Sequence, residues 1–240
     1  MLVVHLEKGL PMLTVDPTID HAASITITRA GRAFWLFIGS FLSFVGVIIV
    51  SVVLSNSEGQ RALYDKAEEL GVNQNFLPAD ELAEIVRVYP EPMVVLLATA
   101  ALFLLSAALL ASGFRRLGDI SGDSNLTYAA MTLAVLAGVC MAVMTFLPRL
   151  LADGNEWLLD NWWIYMTLVG IAVIASCVAL ILVVVAMRPG GLALRTGIVV
   201  AALSALTILA QLTATAPPIV PTVLAAVFAF NVRRAARTTA

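Results

Sequence analysis

Charge is what this chain has least of. Of its 240 residues only 12% are Asp, Glu, Lys or Arg, against about 25% in an average soluble domain. Hydrophobic residues make up 60%, and the mean hydropathy is +0.96. These figures exclude a water-solvated globule and a disordered chain alike. Two cysteines are too few for a secreted disulfide scaffold. The two histidines, His5 and His21, both fall in the N-terminal lead. None is left for an intramembrane bis-histidine haem or for the base of an intramembrane serine protease.

What the chain has instead is long apolar runs. A bilayer core of about 30 Å needs about 20 mainly apolar helical residues. The stretches 33–54, 93–114, 128–147 and 163–187 meet that need without one Asp, Glu, Lys, Arg or His. The eleven Leu, Val and Phe residues of 93–114 alone favour insertion by roughly 3–7 kcal/mol. Between Arg195 and Arg233 lie 37 uncharged residues, and a single helix of that length would measure about 55 Å, too long for one crossing. Ala216-Pro217-Pro218 sits near the middle, and paired prolines break a helix. Two shorter spans follow, 196–213 and 217–232, with Pro221 in the first turn of the last, where proline is tolerated. A re-entrant segment over 217–232 is the alternative. The expected fold is thus an all-α integral membrane protein, a six-transmembrane-helix bundle with a short helical hairpin in its first extracytoplasmic loop.

The arginines orient it. Six spans place residues 1–32, the 115–127 and 188–195 loops and residues 233–240 on one side, with ten positive charges: Lys8, Arg29, Arg32, Arg115, Arg116, Arg188, Arg195, Arg233, Arg234 and Arg237. The other side holds four, Arg61, Lys66, Arg87 and Arg149. The positive-inside rule puts both termini in the cytoplasm. Five spans would export Arg233, Arg234 and Arg237. The organisation expected is a loosely ordered cytoplasmic tail (1–32), a membrane domain (33–232) and a basic cytoplasmic tail (233–240). The first span follows a long polar lead and shows no cleavage pattern, unlike a signal peptide; Met12 could serve as an initiator. The preference for Arg over Lys, with abundant Ala and Val, points to a bacterial inner membrane.

Counted by side, the cytoplasmic segments carry a net charge of +5 and the outer loops −7, with all 30 charged residues outside the spans. A paired-aspartate intramembrane protease and a carboxylate proton relay are excluded, since both need ionisable groups at depth. Nothing in the sequence calls for a cofactor, a metal or a nucleic-acid partner.

Outside the spans, four features carry expectations. The 55–92 loop, with eight acidic and three basic residues, reads as two helices. One starts at a Ser57/Gln60 capping box and stops at Gly71; the other runs from near Pro78 to before Pro90. Leu63, Ala67 and Leu70 align on the first, and Leu82, Ile85, Val86 and Tyr89 on the second. The hairpin either caps the bundle or lies in the headgroup layer, or else serves as a docking surface for a membrane-protein partner or as a cation-attracting lid. In the second outer loop Trp157, Trp162, Trp163 and Tyr165 read as an interfacial aromatic belt, with a stacking platform as the alternative. On the cytoplasmic side Asp119 and Asp123, flanked by Arg115 and Arg116, are weak catalytic or phosphate-binding candidates, Asp123 or Ser124 being equally suited to cap the third span. Within the membrane, Ser204, Thr207, Gln211 and Thr215 form one stripe and are candidates for a neutral-solute pathway. Ala134, Gly138 and Ala142, and likewise Gly197, Ala201 and Ala205, form small-residue rows that let helices approach closely. Cys140 and Cys177 fall at similar depths and read as inert packing residues.

The functional expectation is a non-enzymatic accessory, assembly or sensory partner, seated in the lipid bilayer and acting on another membrane protein through its extracytoplasmic residues 55–92. A transporter of a neutral or lipid-like solute, or an interfacial enzyme on the cytoplasmic side, are the alternatives.

Overall fold

A computed structural model describes residues 17–54, 57–72, 77–191, 193–211 and 219–239. The His5 and Met12 readings, Thr215 and the Ala216-Pro217-Pro218 break lie outside these residues, as does the side chain of His21. Among the described residues every element is helical: α1 (Pro17–Val53), α2 (Ser57–Leu70), α3 (Ala79–Val88), α4 (Met93–Ser121), α5 (Ser124–Met144), α6 (Leu147–Ala152), α7 (Glu156–Asp160), α8 (Trp163–Met187), α9 (Leu194–Gln211) and α10 (Val220–Thr239). Among the described residues, five stretches are long and apolar enough to cross a membrane: Ala22–Val53, Met93–Ser121, Ser124–Ala152, Trp163–Met187 and Leu194–Gln211. This is a multi-pass helical membrane protein. The apolar part of α10, residues 220–232, is only about 20 Å long before Arg233, Arg234 and Arg237 begin.

The six long helices form a closed ring in chain order, α10 returning to pack on α1. Antiparallel packing of α1 on α4 runs from the Phe37–Phe114 ring pair at 5.5 Å to Phe44–Phe103, also at 5.5 Å. Between them the Ser40 hydroxyl donates to the Ser106 carbonyl at 2.9 Å and lies 2.8 Å from the Ser106 hydroxyl. At the α4–α5 contact the expected small-residue row does its work: a Cβ on Gly138 would lie 2.2 Å from the Ala107 Cβ. The second row divides. A Cβ on Gly197 would meet Val184 at 3.0 Å and Phe228 at 3.4 Å, but Ala205 is exposed. The core follows from these contacts, with Phe37, Phe114, Leu117, Leu180, Val183 and Phe228 buried together.

Several sequence boundaries move. Residues 17–32, expected as a loose tail, continue α1, because Ala30 and Ala33 are fully buried against the bundle. The 115–127 loop shrinks to two residues. Phe114 and Leu117 are both fully buried, so packing carries α4 on to Ser121, and Gly122 at φ 75° ends it. The 148–162 loop contains most of α6 and all of α7. Gln60 donates to the Ser51 carbonyl rather than closing a capping box. On α2 only Ala67 of the expected apolar trio is buried, and Leu70 is exposed, because α3 covers a single turn of that face.

Contacts between chain segments sort the helix ends into two groups. Arg87 donates to the Ala152 carbonyl at 3.1 Å, and α3 packs on α6, so the two acidic loops share one end. At the other end Arg29 donates to the Asp119 carbonyl, the Phe34 and Phe230 rings lie 5.9 Å apart and tilted by 54°, and Gly31 adjoins Arg233. Thr222, near the start of α10, lines the same small cavity as Phe44, Phe103, Ser106 and Ala172. α10 therefore begins about halfway along its neighbours and runs to the arginine-bearing end.

Candidate functional site

The acidic end is the most developed polar surface. Pro78 opens α3, and its Ala83 joins Leu147, Leu151 and Leu158 in an apolar patch that seats it on the short helices of the second loop. The Asn155 side chain accepts from the Leu158 amide to start α7. Cations fasten this assembly from within. Lys66 on α2 lies 3.3 Å from Glu81 on α3 and 3.3 Å from Glu69, and hydrogen bonds to Glu81 and then Glu69 push its pKa up. Arg149 pairs with Asp153 at 3.6 Å. With three of the four cations at this end so engaged, Asp65, Glu68, Asp80, Glu84, Glu156 and Asp160 stand exposed.

Two grooves of about 390 Å³ each flank α3. One lies against α6 and α7 and is lined by Asp80, Glu84, Arg87 and Glu156 over Ala83, Leu151 and Leu159. The other lies against α2 and is lined by Asp65, Lys66, Glu69, Glu81 and Glu84 beside Ile85, Val88 and Tyr89. Glu84 serves both. Each groove combines an apolar floor with a carboxylate rim, the chemistry that suits a segment of mixed cationic and apolar side chains. Among the described residues no three His, Cys, Asp or Glu side chains gather as a metal site.

The aromatic quartet divides. Trp162 and Tyr165 stack at 5.0 Å and 13° and pack on the patch beneath α3, whereas Trp157 and Trp163 are 63% and 62% exposed, as membrane-interface side chains are.

At the arginine end the two candidate aspartates have separate tasks. The Asp123 side chain accepts from the Leu126 amide at 3.1 Å and caps α5. Asp119 lies 4.0 Å from Arg116 and lines a 210 Å³ hollow with Arg115, Ser124, Thr127 and Tyr128; Asp123 is not part of that lining.

On α9 the stripe faces inward. Ser204 is fully buried and Thr207 nearly so, Thr207 donating to the Leu203 carbonyl at 2.8 Å. The Ser204 hydroxyl and Gln211 Oε1 are buried with no hydrogen-bond partner among the described residues. The five main cavities among the described residues are lined by other side chains. Cys140 and Cys177 are both buried and unpaired.

Sequence reasoning missed the Ser40–Ser106 pair and the two grooves. Single serines inside long apolar runs look like filler until the α1–α4 register sets them opposite one another. No protein-family model, curated protein or solved structure matches this chain.

Proposed function

We propose that this chain is a non-enzymatic accessory or assembly partner whose acidic end receives a cationic, partly apolar segment of another membrane protein. The observation that carries the reading is the pair of carboxylate-rimmed grooves on either side of α3, joined at Glu84 and held by Lys66 and Arg87. A surface meant only to cap the bundle would have no need to spend its cations internally and leave its acids outward. In this reading α10 is the sixth passage, returning the chain to the arginine end, and that end lies in the cytoplasm of a bacterial inner membrane by the positive-inside rule.

The test is cross-linking in native membranes followed by purification in mild detergent. The wild-type chain should bring down one defined membrane partner. Charge reversal with Glu84→Lys and Asp80→Lys should lose that partner while the helical content stays unchanged. A solitary monomer, or a partner retained equally by the reversed variant, contradicts the proposal.

One observation favours a second reading, a pathway for a neutral solute beside α9: the buried, unpartnered Ser204 hydroxyl and Gln211 Oε1. Solute flux into proteoliposomes that Gln211→Leu abolishes would support it over docking.

A further inference from the structure

The cavity between α8 and α9 lies at the arginine end, away from the grooves of the acidic end. It measures about 360 Å³ and is lined by Val184, Met187, Leu194, Ile198, Ala201 and Phe228, with Arg188 as the one charged lining residue. Its geometry comes from the sharp link between the two helices. A 3-10 turn over Arg188–Gly190 and left-handed backbone at Gly191 (φ 64°) and Ala193 (φ 54°) turn the chain. α9 then touches α8 and α10 closely at Gly197. Along α9 the lining runs from Leu194 to Ala201, a depth of about 10 Å.

The cleft faces the bilayer: Ile198, Leu194 and Val185 are 62%, 45% and 49% exposed. Its polarity runs in one direction, from Arg188 at the end of α8 to apolar walls deeper in. Arg195 stands in the first turn of α9, where the helix dipole adds positive potential. Residues 188–195 contain no acidic side chain, and neither arginine makes an ion pair with a described residue. Basic pockets between transmembrane helices at this depth suit anionic headgroups.

We propose that this cleft is a binding site for one anionic phospholipid. An acyl chain lies along Leu194, Ile198 and Ala201, and the phosphate sits at Arg188 with Arg195 beside it. An amphiphile fits where a free anion would not, because the cavity is apolar over its whole depth and only its mouth is charged. A neutral hydrophobic ligand would leave Arg188 without a counterion. A zwitterionic lipid would bring a cation of its own to a mouth that already carries Arg188.

The test is native mass spectrometry of the full chain extracted from nanodiscs of equimolar phosphatidylglycerol and phosphatidylcholine with identical acyl chains. The wild-type protein should retain one phosphatidylglycerol in preference to phosphatidylcholine, and Arg188→Gln should cut that preference about fivefold. Ala201→Phe, which fills the cleft, should remove the retained lipid. Arg234→Gln, at the same end but about 240° around α10 from Phe228, should leave it in place. Equal retention of the two lipids, or wild-type retention by both the Arg188→Gln and Ala201→Phe proteins, overturns the proposal; thermal unfolding of each variant separates lost binding from lost folding.

Discussion

Gly138 and Gly170 are both glycines within long apolar helices, yet a methyl group added at each should shift stability in opposite directions. At Gly138 the new Cβ would stand 2.2 Å from the Ala107 Cβ and 3.3 Å from the Phe103 carbonyl oxygen. Carbon atoms pack best at about 3.5–4.0 Å, so α4 and α5 would have to separate by well over an ångström at their closest approach. Ala107 has no rotamer to move, which places the cost in the upper half of the roughly 1–3 kcal/mol typical of overpacking. Replacing a helical glycine by alanine returns about 1 kcal/mol, leaving Gly138→Ala destabilised by about 1–2 kcal/mol. At Gly170 nothing lies within 4 Å of the added Cβ, and only the propensity gain of about 0.4–1 kcal/mol remains. Thermal unfolding in detergent should show Tm falling by about 2–8 °C for Gly138→Ala and rising by about 1–4 °C for Gly170→Ala. Adding Ala107→Gly to Gly138→Ala removes the colliding methyl and should restore part of the loss. A Gly138→Ala protein as stable as Gly170→Ala, or a penalty that Ala107→Gly does not reduce, would refute the close α4–α5 packing.

Other outcomes follow from the polar contacts. In a double-mutant cycle on Ser40→Ala and Ser106→Ala, the coupling measured by unfolding should be about 0.6–1.7 kcal/mol, the range for interhelical hydrogen bonds in membranes; additive effects would deny the pair. Arg87→Ala removes the tie to the Ala152 carbonyl and about 1 kcal/mol, so amides of α3 should exchange about fivefold faster while those of α5 do not change. Lys66 titrates above its ordinary 10.5, through its hydrogen bonds to Glu81 and Glu69. The contact that it makes is therefore complete below that pH and is lost only as pH rises through the raised value. The α2–α3 hairpin should be insensitive to pH throughout the neutral range, and the Lys66 Cε resonance should titrate closer to 10.5 in Glu81→Gln.

The membrane helices were legible because hydrocarbon thickness sets a length that the apolar runs at 93–114 and 163–187 fill unaided. Their polar margins were not. Whether Arg115 to Ser121 forms a loop or a helix depends on Leu117 and Phe114 finding burial in the bundle, a tertiary effect that outweighs local polarity. The α3 boundaries could be read from Pro78 and Pro90, and its apolar face from spacing. That α3 would dock on α6 through Ala79, Leu82 and Ala83, with Ile85 and Tyr89 of the expected face lining the groove against α2 and carboxylates rimming both flanks, required the three-dimensional arrangement. The Ser204 stripe was visible in the spacing, yet spacing says nothing of which side of α9 meets the bundle. Aspartates four apart looked like a chemical pair, but Asp123 is engaged by the amide of Leu126.

The central claim is the sorting of charge, acids facing out and arginines facing the cytoplasm. Single cysteines in place of Glu84 and Arg234, in a chain with Cys140 and Cys177 replaced by alanine, test it directly in intact cells with a membrane-impermeant maleimide. The account predicts immediate labelling at position 84 and labelling at position 234 only after the membrane is opened. Labelling of position 234 from outside the cell, or equal labelling of both positions, would contradict it.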